Sequence, residues 1–232
     1  MGRRSTPSLV TFASAVYRQL RGDILRGTLA PGLKLRIEWA CEHYGAGSSP
    51  VREALSRLSA EGLVERREQR GFLVAPISPD DLLDLVRTRC WVETLALRQS
   101  IENASSSWHE SIVLALHRLG SVPCSTSHDG YYANPDWECL HGEFHHALVS
   151  NCGSGRLLHF CDDLADQAFR YRQLSFRLSF PYRDIHDEHQ RMAEAVLRGD
   201  ADGAVSLLAD HYERTAEVVR NELCMAPADR AA

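Results

Sequence analysis

The 232-residue sequence predicts a mainly α-helical protein: an N-terminal winged helix-turn-helix with a small two-stranded wing, followed by an all-α helical bundle. Three observations carry this. Apolar residues recur every three to four positions along most of the chain. Turns rich in Gly and Pro divide the first third into short segments that end in a hairpin-like run, "EGLVERREQRGFLVAP". Beyond Ser78 the segments lengthen into helices separated by capping signals.

Residues 1–9 read as a flexible arm, 10–77 as the winged domain, 78–225 as a helical domain and 226–232 as a tail. Val16, Leu20, Ile24 and Leu25 place a helix over about Val10–Arg26, stopped by Gly27 and Pro31-Gly32. A short helix follows over Arg36–Tyr44, with Ile37, Ala40 and Cys41 inward and Gly45 ending it. "SSPVREALSRL" opens a third. Pro50 suits a first turn, and Ser48 or Ser49 can cap it. Val51, Ala54, Leu55 and Leu58 then form a buried stripe, leaving Ser49, Arg52 and Ser56 on the other side with Arg57 at its edge. Gly62 closes this helix, "LVERR" and "GFLVA" are β-prone, and "EQRG" turns between them.

In the second domain, Pro79-Asp80-Asp81 starts a helix running to about Asn103, with its acids where the helix dipole favours them. Further helices are predicted over Ser107–Leu119, Pro135–Ser150, Ser154–Ser175, Tyr182–Arg198 and Asp202–Leu223, with a long loop at Gly120–Asn134.

Composition narrows the function classes. Hydrophobic residues make up 44% and charged residues 25%, as in ordinary soluble proteins. No apolar run is long enough for a membrane span, and the N-terminus lacks a signal-peptide core, so a cytoplasmic protein without a membrane partner is expected. The seven cysteines are odd in number and never spaced C-x-x-C, which argues against a disulfide framework and a zinc ribbon. The net charge of −5 is unevenly spread: residues 1–78 carry 12 Lys+Arg against 7 Asp+Glu, the remainder 14 against 24. A basic front on an acidic body suits a polyanion-binding module joined to a domain with another task.

The segments "ILRGTLAPGLKL", "SSPVREALSRLSAEGLVERREQRGFLVAPIS", "HGEFHHALVSNCGS" and "DEHQRMAEAVLRGDADGAVSLLADH" resemble the GntR superfamily of bacterial transcription regulators, specifically its FadR-like branch with an FCD effector domain. The resemblance spans about residues 10–225. It implies a homodimer, with the winged domains on a short palindrome in double-stranded DNA. It also implies a helical domain binding a small metabolite, often a carboxylate, near a divalent metal. A repressor released by its inducer is the expected sign.

Carried onto this sequence, the resemblance makes Arg52 the reader of a guanine edge, where an arginine fork gives about 1–3 kcal/mol of discrimination. Ser48, Ser49, Ser56 and Arg57 are expected on phosphates. Arg66, Arg67 and Arg70 reach backbone or minor groove, or are simply a solvated turn, and Gly71 lets the wing tip turn. Many relatives carry Ser-Arg-Thr where this chain has Gly47-Ser48-Ser49, so an operator sequence does not transfer from them.

The i, i+4 spacing of His141 and His145 puts both imidazoles on one helix face, a chelating arrangement that is also common in plain surface or core histidines. The resemblance adds His189 and His211 as the remaining ligands. Relatives usually have Asp where His141 stands. Four neutral imidazoles favour zinc or nickel over magnesium or calcium and leave the ion's charge whole for an anion. His146, about 100° further round, is not expected to be a ligand. Neither are His159 and His186, and His43, His109, His117 and His128 receive no role. Arg89 matches an arginine facing the effector pocket, with Tyr171 and Arg172 as further lining. Its competing reading is an i, i+4 pair with Glu93.

A metal-dependent hydrolase fits poorly. "HGEFH" is not H-E-x-x-H, Glu143 lies about 200° from the histidine face, and no nucleophile elbow, phosphate loop or dinucleotide fingerprint occurs. The other alternative is a DNA-binding and dimerisation module without an effector, whose bundle interior would hold no convergent polar groups.

Overall fold

Residues 12–67, 71–127, 129, 131–179 and 182–225 are described by the computed structural model. The predicted arm and tail, like His128 and Arg70, lie outside them. The chain divides between Ile77 and Ser78 into two compact units.

In the first unit, α1 (Phe12–Leu25), α2 (Ile37–His43) and α3 (Ser48–Ala60) surround one core. Val16, Leu20 and Ile24 of α1 meet Val51, Leu55 and Leu58 of α3 because both stripes repeat at helical spacing. Two differences from the sequence reading emerge. The wing has three strands, β1 (Lys34–Leu35), β2 (Val64–Arg67) and β3 (Gly71–Val74), in the antiparallel order β1-β3-β2. The third strand arises because Gly32, at φ +76°, turns the chain back onto β3. Its N–H donates to Val74 O and Leu33 O accepts from Val74 N, each at 2.9 Å. The second difference concerns α3. Its cap is Gly47, extended and without a side-chain bond, so Ser48 and Ser49 are already helical and do not cap.

The second unit is all-helical. Ser78 caps α4 (Pro79–Glu102) by accepting from Asp81 N at 3.1 Å, and Ser105 caps α5 (Ser106–Gly120). Asn134 caps α6 (Pro135–Val149). The next helix, α7 (Gly155–Ser179), outruns its predicted end at Ser175. α8 (Ile185–Leu197) starts later than predicted because Asp184 accepts from Asp187 N at 2.9 Å, fixing the first turn there. α9 (Ala201–Met225) completes the domain. α4 packs on α7, α9 and α6, and α8 packs on α5 and α9, so the middle of α6 and the facing parts of α8 and α9 share one interior. No helix among the described residues is long and apolar enough to cross a membrane.

Candidate metal centre and DNA-reading face

Helix α3 buries Val51, Ala54, Leu55 and Leu58 completely, which turns Ser48, Ser49, Arg52, Ser56 and Arg57 to solvent. Arg52 makes no hydrogen bond or ion pair within the described residues. Arg57 is engaged: its guanidinium lies 3.9 Å over the Tyr17 ring, and Tyr17 OH donates to the Glu61 carboxylate at 2.9 Å. This stack ties α3 to α1 through an exposed side chain. On the wing, Arg66 is exposed opposite Phe72 and Arg67 pairs with Glu65 at 2.6 Å. Gly71 adopts φ +81°, a conformation most other residues resist, at the first position of β3.

The four histidines converge. His141 and His145 project from α6, His189 from α8 and His211 from α9, all buried, and one ligand nitrogen from each lies within 4.8 Å of the other three. His145 Nε2 and His189 Nε2 are buried without a hydrogen-bond partner among the described residues. An orphaned buried polar atom costs about 1–3 kcal/mol, so a fold that keeps two of them side by side needs a reason. Burial, then the nearby Arg172 charge, pushes His141 well below the ordinary imidazole range. Burial followed by His211 acts likewise on His145 and His189, and burial brings His211 down to about 4. At neutral pH the cluster therefore consists of four uncharged imidazoles. Buried, neutral, converging nitrogen donors with unspent lone pairs fit a divalent ion that accepts nitrogen ligands.

The surroundings hold this set in place. Glu188 accepts from His211 Nδ1 at 2.7 Å, which points the other ring nitrogen into the cluster. Arg183 grips Glu188 with Nε at 2.9 Å and a terminal nitrogen at 2.7 Å. Burial tends to raise the Glu188 carboxyl, but hydrogen bonds from His211 and Arg183 outweigh it and keep it ionised well below the usual range. On the α4 side, Arg89 makes the buried pair with Glu93 at 2.6 Å and lies 3.8 Å over the Tyr212 ring. Tyr212 OH donates to Glu93 and stands 3.4 Å from His145 Nδ1. The i, i+4 alternative is thus realised, and the Arg89 charge is already compensated. Tyr171 is buried with its hydroxyl donating to Asp81 at 2.7 Å, an anchor for the start of α4. Arg172 pairs with Glu138 at 2.7 Å but keeps a buried Nε without a partner.

Three expected non-ligands lie elsewhere: His146 pairs with Asp162 at 2.9 Å, His159 is near Asp163, and exposed His186 abuts Gly120. Glu143 is exposed and within 3.9 Å of Arg118, away from the histidines.

The sequence matches the FCD domain family over residues 84–214 and the family "Bacterial regulatory proteins, gntR family" over residues 12–74. The chain belongs to the GntR family, with an FCD domain. This GntR/FCD regulator is 39% identical over 206 residues to the HTH-type transcriptional regulator BphR of Paraburkholderia xenovorans LB400, covering 89% of this chain and 84% of BphR. It is 34% identical over 199 residues to the HTH-type transcriptional repressor GlaR of Escherichia coli K12, covering 84% and 90% respectively. The solved structure of E. coli McbR/YncC shares the fold with a TM-score of 0.73 at 19% identity, covering 92% of this chain and 99% of the other. The chain is a DNA-binding transcriptional regulator of the GntR/FCD type. Its family and relatives are regulators, not enzymes.

Sequence reasoning missed Glu188, Arg183, Glu138 and Tyr212. Glu188 and Tyr212 each adjoin a predicted ligand, but their partners lie 23 and 119 residues away. No local periodicity reports such contacts.

Proposed function

We propose that this regulator is a repressor whose FCD domain binds a divalent metal through His141, His145, His189 and His211 and senses a small carboxylate there. The observation that carries the reading is the set of four buried ligand nitrogens within 4.8 Å, two of them with no other partner. A bound divalent ion supplies an undiminished positive charge to which a carboxylate can attach. The chain's own residues do the rest. Glu188 and Arg183 hold the orientation of His211, and Arg172 adds positive potential beside His141. Of the three expected effector contacts, Arg172 is the one with a donor to spare. Arg89 and Tyr171 serve here as struts.

Coupling to DNA follows from where the ligands originate. They come from α6, α8 and α9, and α9 packs against α4, the helix that directly follows the winged domain in the chain. Ligand occupancy biases how these helices pack, and α4 passes that bias on. In the winged domain, Arg52 supplies base readout, while Ser48, Ser49, Ser56, Arg57 and the wing residues Arg66, Arg70 and Gly71 position the helix on the backbone.

An exposed stripe on α4 supports a homodimer on a two-fold operator. Leu83, Trp91 and Leu95 follow one another at spacings of eight and four residues along one side, with Trp91 66% exposed. Arg87 and Arg220 flank the same face alongside Glu213 and Glu217, a charge mixture that can complement its own copy about a two-fold axis.

Native mass spectrometry of the full chain after zinc loading tests the metal reading. One zinc per chain is expected in the wild type and a loss in a His145→Ala/His189→Ala double variant. Sub-stoichiometric zinc in the wild type at neutral pH would overturn it.

A further inference from the structure

We propose that the sensed carboxylate carries an apolar, ring-sized body, which lies in the cavity on the His189 side of the histidine cluster. This inference rests on the reading that the cluster binds a metal and anchors an anion.

Two cavities flank the cluster, and they differ in size and chemistry. The one walled by Arg89, Arg172, Tyr212 and the cluster histidines His141, His145 and His211 has a volume of about 70 Å³. One water occupies roughly 30 Å³ of liquid, so that space suits about two waters. Arg89 there is held by Glu93 and the hydroxyl of Tyr171 by Asp81, while Arg172 Nε is left over, so this side suits an anionic head but no larger body. The other cavity has a volume of about 270 Å³ and is walled by Leu119 of α5, Val122 and Pro123 just beyond it, Trp137 of α6, and Ile185 and His189 of α8. A dry cavity of roughly 150 Å³ already accepts benzene, so this one takes a ring together with a short carboxylate arm.

The chemistry of the walls selects among anions. Leu119, Val122, Pro123 and Ile185 offer a ligand no hydrogen bonds from their side chains, and of the polar side chains that also line the cavity Arg183 is committed to Glu188 and Thr215, Tyr131 to Glu138 and Gln173, and Asp184 to Asp187 N. A hydroxyl-rich acid would strand its hydroxyl groups against them. An apolar body gains instead, about fourfold in affinity for each methylene equivalent buried. His189 ties the cavity to the cluster: it lines this cavity, is buried, and contributes one of the four converging ligand atoms. The cavity therefore abuts the cluster at His189 and is otherwise walled mainly by apolar side chains and by polar ones already engaged, the complement of a monocarboxylate with a hydrocarbon body.

Isothermal titration of the zinc-loaded full chain with 3-phenylpropanoate, acetate and gluconate tests this. The expected result is binding of 3-phenylpropanoate at least about tenfold tighter than either of the others. Val122→Trp and, independently, Ile185→Trp fill the cavity and should erase that preference while acetate binding and zinc stoichiometry stay unchanged. Equal affinities for the three anions, or a preference that both filled variants retain, would overturn the inference and leave the metal reading standing. If none of the three binds, the effector reading and this inference both fall.

Discussion

The two domains of this regulator treat arginine in opposite ways. In the winged domain Arg52 stands on the exposed side of α3 without a partner among the described residues, while the buried side of the helix holds it in place. In the helical domain Arg89, Arg172 and Arg183 are drawn inward and each is matched by a glutamate at 2.6–2.9 Å. An unpaired surface guanidinium keeps its donors for a ligand. A buried one without a counter-charge would destabilise the fold, so its donors go first to the protein. The contrast teaches that a family-matched arginine is a recognition residue only where the fold leaves it something to donate.

The sharpest way to break this comparison is to remove one partner of an internal pair. Arg89→Ala leaves Glu93 buried and unmatched and removes the stack on Tyr212, so a loss of about 3–5 kcal/mol is expected in chemical denaturation. A small change there would mean that Arg89 is held for a ligand rather than for the fold. Next in size, Glu188→Gln should weaken zinc binding about 10–100-fold in a competition titration with a chromophoric chelator, because His211 loses the carboxylate that orients it.

Arg52→Ala tests the other side. It should cost about 1–3 kcal/mol of discrimination at one base pair of each half-site, read by fluorescence anisotropy, and leave the denaturation midpoint within experimental scatter. Arg57→Ala should do less to base discrimination and instead remove about 0.5–1 kcal/mol of stability, since its guanidinium covers Tyr17.

Acid sharpens the contrast further. In metal-free protein the buried histidines hold folded-state pKa values below those of the unfolded chain, His211 at about 4 against 6.5. The unfolded chain then binds more protons, so their contribution is present above about pH 6.5 and drains away as pH falls towards 4. Glu188 acts in the same direction at lower pH, its depressed carboxyl losing its contribution below the ordinary carboxylate range. Denaturation series of metal-free wild type and a His145→Ala/His189→Ala variant should show a shallower acid slope in the variant. Identical slopes would mean that the cluster is not the titrating core.

The sequence made some of this legible and hid the rest for physical reasons. Helical spacing placed α1, α3 and the six long helices because each buries one stripe, and glycine stands at 71, where the backbone has a positive φ. Strand β1 was hidden: Lys34-Leu35 is too short to alternate, and its pairing is created by a turn at Gly32. Ser48 and Ser49 looked like caps by type, yet Gly47 took that position. At the cluster, His141 and His145 were visible as one helix face, whereas His189 and His211 came only through family likeness. Glu188, Arg183 and Glu138 were invisible because tertiary packing alone makes their contacts. For Arg89, residue spacing pointed to Glu93 and family likeness to the effector; the fold took the former.

The proposed function divides labour between an exposed reader and a buried sensor. Anisotropy with a fluorescent duplex bearing a two-fold site, in the presence of random competitor DNA and without added carboxylate, measures it directly on three proteins: wild type, Arg52→Ala and His145→Ala/His189→Ala. The wild type and the histidine variant should both prefer the two-fold duplex while Arg52→Ala loses the preference. Loss of the preference in the histidine variant equal to that in Arg52→Ala would contradict it.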